Sequence, residues 1–117
     1  MVRLGHVMVG VSNIQRSLAF YRDVMDLDVT LEQPGFAFLN AGGGVDLVLS
    51  EAHGALYPLV GSMELSFSVS DIMVAFTELR KRGVNFMTEP RLVTATQWAA
   101  NFTDPDGHLL SVVGPKL

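Results

Sequence analysis

His6 and Glu64 are the residues in this chain best suited to chemistry. They stand 58 positions apart, each near the head of a run in which polar and apolar residues alternate. An imidazole and a carboxylate are groups that bind a cation or move a proton. The bland alternative is a pair of polar residues in a wet cavity, hydrogen-bonded to each other. Several other chemistries are closed to the chain. It has no cysteine, which excludes disulfides and thiolate metal sites. Ala-Gly-Gly-Gly at 41–44 has neither the lysine of a phosphate loop nor the spaced glycines of a dinucleotide site.

The elements that carry these two residues are repeated. Val11-Ser-Asn-Ile14 returns as Val69-Ser-Asp-Ile72, and the same 58-residue offset relates Ile14, Leu18 and Tyr21 to Ile72, Phe76 and Leu79. Each trio has i, i+4, i+7 spacing, which is one face of an amphipathic helix. Ser12 or Asn13 and Ser70 or Asp71 supply helix start signals. Gly83 predicts a stop with φ > 0, and Asp26 stands at about the same place in the first copy, with one residue of slip. Before each helix lies a strand: Val7, Val9 and Val11 share one face, His6, Met8 and Gly10 the other, and Leu65, Phe67 and Val69 are answered by Glu64, Ser66 and Ser68. Further strands are predicted at 29–32, 36–40 and 45–50, then at 84–87, 97–103 and 108–113, with turns at Gly42–Gly44 and Asp104-Pro-Asp-Gly107. The order is β-α-β-β-β twice, in modules of about 1–51 and 62–117. Residues 52–61, which include Gly54, Pro58 and Gly61, form the predicted linker.

At 117 residues, 49% of them hydrophobic and 17% charged, the chain has ample material for a core and no case for disorder. A net charge of −4 argues against nucleic-acid binding. No apolar run reaches the ~18 residues of a membrane span, and Met-Val-Arg opens no signal peptide. A cytoplasmic location is therefore expected. Each module is small, and its helix covers one sheet face only. Pairing two such sheets, within a chain or between chains, would enclose a cup lined by the faces the helices leave bare.

The chain resembles the vicinal oxygen chelate superfamily of glyoxalase I, bleomycin-resistance proteins, fosfomycin-resistance enzymes and extradiol dioxygenases. The marks are His6, the run Val11-Ser-Asn-Ile-Gln-Arg-Ser-Leu-Ala-Phe-Tyr21 and the closing Asp104-Pro-Asp-Gly-His-Leu-Leu-Ser111. The resemblance implies an α+β glyoxalase/bleomycin-resistance fold, two βαβββ modules forming a curved sheet around a cup, and a homodimer. It also implies metal ligands on the first and last strands of each module. Here those positions look like His6, Asp46, Glu64 and Ser111, and Ser111 stands where a glutamate is usual. His6, Asp46 and Glu64 would then hold one Mn²⁺, Fe²⁺, Ni²⁺ or Zn²⁺ ion, with Glu64 as catalytic base. A bound metal and no metal are both open at this point.

Strand parity assigns the rest of the cup. Phe36, Phe38, Gln97, Ala99 and Asn101 face it if Leu39 and Phe102 face the helices, Leu109 and Val113 share the face of Ser111, and Met8 and Met63 lie near the rim. Phe36, Phe38, Gln97, Asn101, Ser111 and Met8 are thus the expected ligand contacts, and Trp98 falls on the core side. Two functions follow from the resemblance. One is a small-molecule site with glyoxalase-like, metal-dependent lyase or isomerase chemistry. The other is a metal-free protein that sequesters a drug or metabolite. A dioxygenase is disfavoured by the single histidine at the ligand positions. A fosfomycin-type transferase is disfavoured by Ser111 and by the lack of an evident Lys or Arg in the cup. The acidic residues favour a flat, cationic ligand.

Overall fold

The computed structural model describes residues 4–56 and 63–117. The chain divides into two compact units, Met1–Leu59 and Val60–Leu117. In the first, β1 (His6–Gly10) leads to a short helix α1 (Ile14–Leu18), then β2 (Asp28–Gln33), β3 (Phe36–Asn40), β4 (Asp46–Ser50) and helix α2 (Glu51–Leu56). The second holds β5 (Glu64–Ser68), α3 (Ile72–Lys81), β6 (Arg91–Leu92), β7 (Trp98–Thr103) and β8 (Leu109–Gly114). The strand orders are β1-β4-β3-β2 and β5-β8-β7-β6, with β1·β4 and β5·β8 parallel and the other pairs antiparallel. The repeated α+β unit expected from the 58-residue offset is therefore present.

The helices sit where the apolar spacing puts them. Ile14, Leu18 and Tyr21 are buried, beside the buried Ala37, Leu39, Leu47 and Leu49 of the first sheet. Ile72, Phe76 and Leu79 are buried beside Ala100, Phe102, Leu110 and Val112 of the second. Rings of Phe76, Phe86 and Phe102 run in series there, at 4.6 and 5.2 Å between centroids. Asn13 and Asp71 are the caps, each extended, with a side-chain oxygen accepting a first-turn N–H.

The one-residue slip between the copies has a physical cause. After α1 the chain widens into a π-type turn over Ala19–Val24, with the Met25 N–H donating to the Phe20 carbonyl. The wider turn accommodates the extra residue. Both stops are left-handed, Asp26 at φ 61° and Gly83 at φ 96°.

Two expectations need correction. Residues 84–87 are not a strand; the edge of the second sheet is the two-residue β6, which pairs Arg91 with Ala99 and Leu92 with Trp98. The expected linker begins as α2, and its remainder at 57–61 lies outside the described residues. α2 is tied back to the first unit. The Glu51 carboxylate accepts the Ile14 N–H at 2.8 Å, capping α1 from 37 residues away. Among the described residues, no helix is long and apolar enough to cross a membrane.

α2 reaches β1 because glycines let the two backbones touch. A Cβ on Gly10 would lie 2.6 Å from the Gly54 Cα and 2.8 Å from its nitrogen, with rigid backbone in the way. Gly10→Ala should therefore cost about 1–3 kcal/mol through overpacking and lower Tm by about 5 °C or more. Gly5→Ala, which meets nothing within 4 Å, is the matched control in the same melting experiment.

Candidate functional site

In each unit the helix takes one face of the sheet, and alternation sends the intervening side chains to the other. On β3, Ala37 and Leu39 are fully buried on the helix side, so Phe36 and Phe38 lie on the open side. The His6 ring tilts against Phe38 with centroids 5.8 Å apart, and Phe36 meets Phe38 edge-on at 5.9 Å. Register places Asp46 beside His6 and Val48 between Met8 and Phe38. Met8 is half exposed while Val48 is buried. These residues offer two phenyl rings, an imidazole, a thioether and one carboxylate, and Asp28, paired with Asn40 beside Asp46, adds a second carboxylate at the polar end.

The open face of the second unit is built from hydrogen bonds. Glu64 leads β5, the edge strand, and both its oxygens are engaged. Oε1 accepts from Asn101 Nδ2 at 3.2 Å, and Oε2 accepts from the hydroxyls of Ser111 at 2.9 Å and Ser66 at 3.1 Å. The two hydroxyls are 2.7 Å apart. Register explains the cluster, because Ser66, Ser111 and Asn101 lie opposite one another on β5, β8 and β7. Ser111 is fully buried and Asn101 is 8% exposed, so the polar groups need these partners.

Asn101 joins this cluster to Arg91. Its Oδ1 accepts from Arg91 Nη1 at 2.9 Å while its Nδ2 donates to Glu64. The neighbouring charges dictate that orientation, since the reversed amide would set NH₂ against a guanidinium and an oxygen against a carboxylate. Arg91 Nη1 also donates to Thr88 Oγ1 at 3.1 Å, and the same hydroxyl accepts the Asn101 N–H. Ser66, Thr88 and Arg91 were not among the expected ligand contacts. Ser66 was legible from parity; Arg91 was hidden because the sixth strand was expected at 84–87. Its presence corrects the expectation of a site without a cationic side chain.

The other expected residues fall as follows. His6, Asp46, Met8, Phe36 and Phe38 belong to the first unit, and Glu64, Asn101 and Ser111 to the second. Gln97 lies in the turn before β7, where its N–H donates to Thr94 Oγ1 and its carbonyl accepts from Val93 and Thr94. Trp98 takes the helix side and is half-buried, with the Lys116 ammonium 4.7 Å above its ring. Met63 is 74% exposed. The internal symmetry adds a fact about the last strands. Met8 pairs with Val48 and Ser66 with Ser111, so Val48 is the counterpart of Ser111, and Asp46 is the counterpart of Leu109. Among the described residues, no three His, Cys, Asp or Glu side chains gather as a metal-binding group.

A sequence profile of the Glyoxalase/Bleomycin resistance protein/Dioxygenase superfamily matches residues 3–112. The chain belongs to that superfamily. Within it, the chain is 27% identical over 118 residues to the metallothiol transferase FosB of Staphylococcus haemolyticus, covering 93% of this chain and 81% of that protein. The crystal structure of TnmS3, an antibiotic binding protein from Streptomyces sp. CB03234, superposes with a TM-score of 0.82 at 25% identity, over 99% of this chain and 98% of that one. A lactoylglutathione lyase from Agrobacterium tumefaciens superposes at 0.79 with 20% identity, over 96% and 92%. That last likeness is one of fold alone. The proteins this chain resembles in sequence thus include a metallothiol transferase and an antibiotic binding protein.

The Glu64 cluster makes a direct prediction. Ser111→Ala removes one donor and should cost about 1 kcal/mol. Ser111→Glu puts a second carboxylate beside Glu64 and should cost clearly more, through like-charge repulsion and burial. Urea denaturation midpoints of the two variants against the parent read this ordering.

Proposed function

We propose that this protein binds a small organic molecule with a flat apolar part and holds it unchanged, without a metal ion. The observation that carries the reading is the state of Glu64. Both its oxygens are committed to Asn101, Ser66 and Ser111, so it is not a base aimed at a substrate. The rings of His6, Phe36 and Phe38 supply a surface on which an aromatic system stacks. The likeness to an antibiotic binding protein over nearly the whole of both chains supports the same reading.

The donor set does not fit a divalent ion. Ser111 offers a neutral hydroxyl, already engaged with Glu64, and its counterpart Val48 offers no donor. One observation favours the second reading, a metal-dependent lyase or isomerase. His6 and Asp46 are register partners on adjacent strands, so one imidazole and one carboxylate do stand side by side.

Metal analysis of protein purified without chelators, followed by melting with Mn²⁺, Ni²⁺ or Zn²⁺, separates the two. The expected result is no stoichiometric metal and no rise in Tm. A clear rise that disappears in His6→Ala would favour the lyase instead. For binding, Phe38→Ala should weaken a flat aromatic ligand found by thermal screening by about tenfold.

We further propose a cytoplasmic homodimer. β1 and β5 are outermost in their sheets, and such edges carry backbone groups ready to pair with another strand. Light scattering should read twice the chain mass at micromolar concentration; a monomer would refute this.

A further inference from the structure

On the open face of the first sheet the side chains fall into rows that cross the strands. Register sets Leu31, Phe38, Val48 and Met8 in one row, and Asp28, Asn40, Asp46 and His6 in the next. The first row is apolar and incompletely covered, with Leu31 41% and Met8 49% exposed. The second row carries a carboxylate on each side of Asn40. Among the described residues neither carboxylate has a hydrogen bond or an ion pair, whereas the Asn40 Oδ1 accepts the Gly42 N–H at 2.8 Å. No described lysine or arginine of this unit shares the face. Arg16 and Arg22 lie on α1 and the wide turn after it, bonded to Ser12 and Asp23. Two negative charges with open acceptor positions therefore stand one row away from an aromatic ring.

We propose that the ligand of this face is a flat aromatic cation, its rings on Phe38 and Met8 and its positive group over Asn40, between Asp28 and Asp46. The inference rests on the small-molecule-binding reading above and adds the charge of the molecule bound; the first unit alone supplies every contact. Successive rows on one face are ~7 Å apart, so an ammonium on a short stem reaches the second row from a ring stacked on the first. Strands two apart are separated by ~10 Å, which leaves a cation above Asn40 about midway between the two carboxylates. A ligand lying over Phe38 also strips water from Asp46, already part-buried, and a carboxylate losing water is stabilised by a charge of opposite sign. An anionic ligand would meet like charge here and find no described cation to hold it. Glu64 is not the source of this preference, since Asn101, Ser66 and Ser111 already occupy its oxygens. Asp28 takes its place because β2 starts one residue before the expected 29, on the face of Asn40.

Three probes of similar shape and different charge test this: 2-naphthylmethylammonium, 2-naphthamide and 2-naphthoate, titrated calorimetrically into the full chain. The ammonium should bind about fivefold more tightly than the amide, and the naphthoate most weakly. Asp28→Asn and Asp46→Asn should each weaken the ammonium about twofold, and the double variant should bring it to the level of the amide. Tm should stay near the parent value, because neither carboxylate is bonded within the fold. Added salt should shrink the preference as well. If all three probes bind equally, or the preference survives in the double variant or is lost in Glu64→Gln instead, the acidic row is not the seat of a cation while the binding face stands. If none of the three binds, or Phe38→Ala leaves every affinity unchanged, the small-molecule reading falls and takes the cation with it.

Discussion

One constraint organises both units of this protein: a helix covers only one face of a four-stranded sheet. Side chains alternate along a strand, so covering one face commits every second residue to the other. In the first unit Leu18 and Tyr21 are fully buried on the helix side together with Leu39 and Leu49. His6, Met8, Phe36 and Phe38 are left to the open side as a consequence. The same division in the second unit sets Phe102, Leu110 and Val112 under α3 and leaves Glu64, Asn101 and Ser111 to the opposite face, where Asn101 and Ser111 are buried beneath their hydrogen-bond partners. The strand residues of these faces need no loop to place them, and Thr88 joins Arg91 and Asn101 from the segment between α3 and β6. The site is what remains when the core has been made.

The two open faces are chemically different although the framework repeats. Aromatic rings and a thioether dominate the first; linked polar side chains dominate the second. Register produces the difference directly. Val48 and Ser111 occupy matching positions, one apolar and packed between Met8 and Phe38, the other hydrogen-bonded to Glu64. Asn101 is the key residue of the polar face, because an amide has both a donor and an acceptor and can satisfy a carboxylate and a guanidinium at once. It keeps these opposite charges apart, so neither neutralises the other by direct contact.

Membership of the superfamily does not by itself assign chemistry, because function resides in sites grafted on folds. The relatives of this chain include a metallothiol transferase and an antibiotic binding protein, and the chain is about equally similar to each. The residues at the last strands support the reading proposed above. A hydroxyl and an isopropyl group are poor substitutes for anionic ligands. The same residues suit a binding face, where satisfied polar groups give shape and orientation without reacting.

Much of the framework could be read from residues alone, because it rests on local rules. Helical spacing located Ile14, Leu18, Tyr21 and their counterparts, Asn13 and Asp71 marked the caps, and Asp26 and Gly83 marked the left-handed stops. Parity put Phe36, Phe38, Asn101 and Ser111 on the open faces. What required the tertiary structure was pairing between strands distant in sequence. Residues 84–87 carry strand-like residues, yet the ladder with β7 is made by Arg91 and Leu92, and so the cationic side chain of the site was overlooked. The capping of α1 by Glu51, 37 residues away, left no local mark either. Sequence alone determined the repeat, the helix faces and which residues point away from them, since these follow from backbone periodicity. Only the tertiary structure decided that Asn101 bridges Arg91 and Glu64 and that Val48 answers Ser111, because register is set by packing across the sheet rather than by neighbours along the chain.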